Sequence, residues 1–178
     1  MPADVTVRRI RADEGLRWRA LRLRALADSP VAFVDTVEQA SARPDSDWHD
    51  RVRALSAGCR SALFVAESTG AHGDDAWVGV AGGFADEAGN TTVFTVFIDP
   101  AMRGQGILEK LIAAVAEWSI GCGRTMLSLE VAVQNPRAHA AYKRLGFVPT
   151  GRSRPHPLFP DVVEVEMTRP AAMGVRIS

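Results

Sequence analysis

The sequence is short of the features that mark several common protein classes. Its 178 residues hold two cysteines, Cys59 and Cys122, too few for a disulfide framework. Neither these nor His49, His72, His139 and His156 stand at zinc-ligand spacing, so metal chemistry is not expected. There is no surplus charge, since 21 Lys and Arg balance 21 Asp and Glu, and a nucleic-acid-binding role normally shows a basic excess. No apolar run approaches the roughly 20 residues of a membrane helix. Met1-Pro2-Ala3-Asp4 shows no charged-then-apolar leader. The expectation is a cytoplasmic protein that works without membrane or nucleic acid. Tyrosine occurs once, at Tyr142.

What is present suits one domain with a real core, expected over residues 1–169, followed by a tail at 170–178. The most informative stretch joins a strand to a helix. Val93, Phe94, Val96, Phe97 and Ile98 form a nearly continuous apolar run stopped by Asp99-Pro100, as in a strand buried on both faces. Ile107, Leu111, Val115 and Trp118, with Leu108 and Ile112 beside them, then recur at helical spacing. Between them lies Arg103-Gly104-Gln105-Gly106. The first amides of a helix lack partners and carry the positive end of its dipole, so glycines there let an anion approach the backbone, and Arg103 adds positive charge. An ordinary strand-to-helix turn would use the same glycines for the backbone alone.

Before this stretch, residues 5–10 alternate as a strand. Asp13 is placed to cap a helix whose stripe is Leu16, Ala20, Leu23 and Leu26, and Arg17, Arg19, Arg22 and Arg24 read as its solvated face. Residues 31–45 read as a loop. Ser46 or Asp47 caps a second helix bearing Trp48, Val52 and Leu55, which ends at Gly58. Residues 61–68 and 77–85 pair across a polar turn at 69–75. After the Ile107 helix come a strand at 126–131 and a short helix opened by Asn135-Pro136 and closed by Gly146. Strands at 147–153 and 162–168 follow, and the end of the chain from Pro170 is expected to fray. This order implies an α/β (α+β) fold with a mixed sheet covered on both faces.

Two motifs in fixed order carry a resemblance. The first is Ile98-Asp99-Pro100 with Arg103-Gly104-Gln105-Gly106-Ile107; the second is Leu129-Glu130-Val131 with Asn135, Ala138, Tyr142, Gly146 and Phe147. Together they make the chain similar to the GNAT superfamily of acyl-CoA-dependent N-acyltransferases, from about residue 77 to 168. The resemblance implies a mostly antiparallel seven-stranded sheet splayed in the middle. It implies an acetyl-CoA donor whose pyrophosphate lies on the turn from Arg103 to Leu108. The pantetheine arm would pair with the strand edge near Phe97 and Ile98, in the manner of an added strand, with a contact to Asn135 beside that residue's capping role. Tyr142 would donate a proton or hydrogen bond to the departing thiolate.

Many family members place a glutamate on the strand beside the turn, but residues 93–98 contain no acid. Glu130 is the matched candidate for the base, with a structural role at the sheet edge equally open. Leu108 stands where the family usually has glycine or alanine, so it either crowds the pyrophosphate or points into the core. Phe33, Asp35 and Glu38, and Arg152, Arg154 and His156 of the later loop, are placed over the acceptor site in relatives. The acids would draw a cationic amine and the basic residues an acidic one. The implied activity is direct acetyl transfer to a primary amine of a small molecule or a protein N-terminus. The alternatives are a non-catalytic CoA-binding or interaction module with this fold, or an enzyme using another acyl-CoA. Edge-to-edge homodimers are common in the family.

Overall fold

The computed structural model describes residues 4–69 and 75–173, so most of the expected turn at 69–75 and the tail from 174 lie outside the described residues. The strands are β1 (Asp4–Arg9), β2 (Ser61–Thr69), β3 (Asp75–Ala85), β4 (Thr91–Ile98), β5 (Met126–Ala132), β6 (Val148–Pro155) and β7 (Val163–Pro170). The helices are α1 (Gly15–Asp28), α2 (Val37–Ala42), α3 (Asp45–Ser56), α4 (Ile107–Gly121) and α5 (Pro136–Arg144). The strands form one seven-stranded sheet in the order β1-β2-β3-β4-β5-β7-β6. Every neighbouring pair is antiparallel except β4 with β5. The expected fold class is the one found.

The side-chain period of two explains how helices come to lie on both faces. Along β2, Ala62, Phe64 and Ala66 join the apolar cluster with Leu111, Ile112 and Val115 of α4. Leu63 and Val65 join the opposite cluster, with Trp18 and Leu21 of α1 and Trp48 and Val52 of α3. The core is therefore two layers separated by the sheet. Burying both faces excludes water from the strand hydrogen bonds as well as from the side chains.

Several local expectations are corrected. The buried stripe of α1 is Trp18, Leu21, Ala25 and Leu26, and Leu16 is 50% exposed. Two apolar stripes of similar spacing compete on this helix, and the one with the indole removes more area from water. That rotation turns Arg22 inward with the stripe, one turn after Trp18. Glu14, rather than Asp13, precedes the helix; its carboxylate accepts from the Arg11 amide at 2.8 Å and pairs with Arg8. The expected loop at 31–45 contains α2. Thr36 and Gln39 form a reciprocal capping box there, which stabilises a helix too short to propagate alone. Pro44 precedes α3, so neither Ser46 nor Asp47 is its cap. Pro170 pairs with Met126, and the Ala171 amide donates to Thr125 at 2.8 Å, so these residues of the expected tail are held by the sheet.

The two cysteines are bonded to each other. Cys59 follows α3 and Cys122 follows α4; their Cα atoms are 5.5 Å apart across a sequence separation of 63. The same approach is marked by the Trp118 indole N–H donating to the Gly58 carbonyl at 3.1 Å.

The feature that creates the site is the opening between β4 and β5. These strands pair only at Thr91 with Leu127 and Thr92 with Ser128, and then part. The register between β3 and β4 slips where Val80 opposes Phe97 but Gly82 opposes Phe94, which leaves one extra residue on β4. Within that bulge Thr95 has φ of 55°, a conformation unfavourable for a β-branched side chain.

Candidate active site

The opening leads into a cavity of about 1060 Å³ that runs from the start of α4 to the helices over the opposite face of β4. At one end is the Arg103–Leu108 turn. Gly104 and Gly106 have φ of +79° and +76°, and nothing lies within 4 Å of a Cβ built on either. Gly106 precedes α4 and no side chain caps that helix. Its first amides therefore lie beneath open space, which fits a diphosphate and its surrounding charge. Gly104, Gly106, Ile107 and Leu108 line the cavity, whereas Gln105 does not. Leu108 is half-buried and packed against the core around α4.

Arg103 also reaches the cavity, but its charge is engaged. Its Nε donates to the Ile98 carbonyl at 3.1 Å and its Nη2 to Asp28 Oδ2 at 2.6 Å. The Ser29 hydroxyl and then this guanidinium hold the Asp28 carboxyl below its ordinary range. Further cations, Arg137 and Arg144 of α5, line the same cavity.

Phe97 and Ile98 lie on the part of β4 that does not pair with β5, and Asn135 and Tyr142 of α5 line the same cavity. Asn135 caps α5, accepting from the Ala138 amide at 3.1 Å. Tyr142 is 8% exposed, and its ring meets Phe147 edge-on at 5.8 Å. Its hydroxyl has no hydrogen-bond partner among the described residues, and burial pushes the phenol up. A tyrosine in this setting stays protonated, so it can donate but cannot serve as the base.

Across the opening, Glu130 of β5 lines the cavity beside Glu164 of β7, and Arg154 pairs with both. Burial, reinforced by Glu164 and Glu166, raises the Glu130 carboxyl despite the guanidinium. Glu164 Oε2 is buried without a hydrogen-bond partner and stands 3.4 Å from Arg154 Nε. His156 is elsewhere. It is 1% exposed, and its Nδ1 accepts from the Leu158 and Phe159 amides at 3.1 and 3.3 Å, so it shapes its loop rather than facing the cavity.

On the far side lie Phe33 and Asp35, as expected, but Glu38 is exposed outside the lining. Asp35 accepts from Arg43 at 2.6 Å and stands 3.8 Å from Arg22. Arg22, read from sequence as solvated, lies over the Phe33 ring at 4.6 Å and donates to Thr95 Oγ1 at 3.0 Å. Burial pulls it down to about 10. Its position four residues after Trp18 was the signal available. Arg51, Thr95 and Glu164 also reach the cavity; no local motif distinguishes them, because distant chain segments bring them together.

Among the described residues, no group of three or more His, Cys, Asp or Glu could hold a metal, and no helix is long and apolar enough to cross a membrane.

The acetyltransferase (GNAT) family model matches residues 25–147. The chain is 28% identical over 147 residues to the mycothiol acetyltransferase of Clavibacter sepedonicus, covering 83% of this chain and 44% of that one. It spans less than half the length of the curated relatives it matches. Among solved structures, a Salmonella typhimurium protein with its cofactor acetyl-CoA superposes with a TM-score of 0.68 at 14% identity, covering 99% of each chain. The spermidine N-acetyltransferase of Vibrio cholerae, in complex with CoA and spermine, gives 0.71 at 17% identity, covering 94% of this chain and 95% of that one.

Proposed function

The chain belongs to the acetyltransferase (GNAT) family, and from that premise we propose that it moves acetyl from acetyl-CoA to a primary amine, on a small molecule or a protein N-terminus, by direct attack in a ternary complex. The observation that carries this reading is the continuity of the cavity. One space joins the open glycine turn, the unpaired edge of β4, the Tyr142 hydroxyl and the Glu130 carboxylate. Residues 1–169 would act as one catalytic domain.

Acetyl-CoA supplies a thioester carbonyl whose carbon gains the amine nitrogen as the carbon–sulfur bond breaks. The chain's part is to bind, orient and move protons. The α4 amides, with Arg103, Arg137 and Arg144, offer an anion site. The β4 edge near Phe97 and Ile98 offers amide and carbonyl partners to an extended arm. Glu130, whose carboxyl burial raises, takes the amine proton directly or through water. Tyr142 Oη hydrogen-bonds the departing sulfur. A free thiol titrates at about 8.5, below a buried phenol, so the phenol stabilises the thiolate before it yields a proton outright. Cys59 and Cys122 are bonded together and outside the cavity lining, which favours direct attack over an acyl-enzyme.

The reading assigns the protein to the cytoplasm. The disulfide pulls the other way, because cytosolic thiol pools keep most cysteines reduced. Calorimetry with acetyl-CoA, followed by an amine screen monitored by thiol release, tests the function. Micromolar binding, about −8 kcal/mol, with amine-dependent thiol release is expected. Absence of donor binding would refute it.

A further inference from the structure

The acceptor end of the cavity carries more cations than anions. Arg22, Arg43 and Arg51 line it, and the acid on that side is Asp35. Asp35 is committed to Arg43 at 2.6 Å and is only at ion-pair distance, 3.8 Å, from Arg22. Arg51 has no ion pair or hydrogen bond among the described residues. Arg22 is largely removed from water, with its side chain 12% exposed, and it bonds Thr95 beside the opening. Holding a guanidinium there against two like charges costs free energy unless an anion offsets it, and Asp35 offsets only part.

Carboxylates line the same space. Glu130 and Glu164 stand on neighbouring strands with Arg154 pairing with both, and Glu164 Oε2 has no hydrogen-bond partner. Phe33, Phe84 and Phe94 wall the cavity along with the backbone of the β4 bulge. We infer that the acceptor is a small zwitterion, an amine bearing a carboxylate or similar oxyanion, whose anion is held by Arg22 and Arg51 while its amine faces Glu130 and Glu164. The inference rests on the acetyltransferase reading. It chooses a free small molecule over a protein N-terminus, whose first residue has no free α-carboxylate, and over a polyamine, which the arginines would repel. Guanidinium and oxyanion match as a forked, charge-assisted pair, and the aromatic walls suit an apolar side chain.

The test uses the full chain and matched acceptors: phenylalanine, phenylalaninamide, the phosphonate analogue of phenylalanine, and spermidine. Acetyl-CoA binding is measured first by calorimetry. With the donor bound, phenylalanine or its phosphonate should exceed the amide in kcat/KM by about tenfold or more, the usual weight of a charged hydrogen bond. The two oxyanions are ranked directly against each other. Arg51→Gln, at an exposed position, should raise KM for the anionic acceptor and narrow that ratio. Preference for the amide or for spermidine, or an Arg51→Gln variant with the ratio intact, would overturn the inference while leaving the transferase reading standing. Failure to bind acetyl-CoA would overturn the transferase reading instead. In that case direct titration with phenylalanine against its amide decides the anion site separately, with equal or absent binding counting against it.

Discussion

Replacing Tyr142 by Phe removes one oxygen from a side chain whose ring is packed and whose hydroxyl is not. The ring's contacts, including the edge-on meeting with Phe147, survive the change. The hydroxyl has no partner among the described residues, so no internal hydrogen bond is lost. The melting transition should therefore move little, corresponding to less than about 0.5 kcal/mol. Donor affinity should also hold, because the turn, the β4 edge and the α5 cap are untouched. Turnover should fall by about 10²–10⁴, the ordinary weight of a positioned acid. That is about 3–5 kcal/mol of transition-state stabilisation. The assay is thiol release at saturating acceptor, paired with calorimetric titration of acetyl-CoA and a thermal melt. Unchanged kcat in a variant that binds the donor normally would remove Tyr142 from the chemistry. A large loss of stability would show instead that the hydroxyl is structural.

Glu130→Gln should slow turnover and abolish the acid limb of the rate profile, which in the native protein should lie above the ordinary carboxylate range because burial raises this group; an unaltered limb with full rate would acquit it. A carboxyl raised by folding adds stability below about 4.5 that fades as pH climbs through its folded value, so the same variant should also lose this fall in stability on the acid side of neutrality. Glu67 behaves with the opposite sign: the Arg8 hydrogen bond, with help from Trp77, holds it down to about 2. Its stabilising contribution should be complete above about 4.5, the unfolded value, and vanish as pH falls toward 2. Glu67→Gln should flatten acid melts across that window. Reducing the Cys59–Cys122 bond, which closes a 63-residue separation, should cost up to about 4 kcal/mol by chain entropy, read as a lower denaturant midpoint under reductant.

What the sequence disclosed was mostly local. The α4 stripe, the glycine turn and the Asn135-Pro136 start of α5 each depend on neighbours within a few residues, and each stands where expected. Errors arose where two local solutions competed, as between the stripes of α1, or where an intervening helix depended on the reciprocal Thr36 and Gln39 bonds. The acceptor end was the least legible. Arg22 meets Thr95 across 73 positions and Arg154 meets Glu130 across 24, so their partners are set by the sheet order rather than by spacing. The disulfide is of the same kind. Two lone cysteines carry no pairing signal until the chain after α3 passes the end of α4.

If the donor binds at Arg103 as proposed, the contact between Arg103 and Asp28 would give its arrival a reach beyond the phosphates themselves. A diphosphate drawn to that guanidinium meets a charge already neutralised, so it exchanges one anion for another instead of shedding only water. The released carboxylate stands at the end of α1, where the helix dipole is negative and least hospitable to it. That same helix carries Arg22 toward the acceptor cavity. On the proposed reading, loading the donor would perturb a helix whose other contact is the acceptor cavity, which would let one substrate sense whether the other is in place.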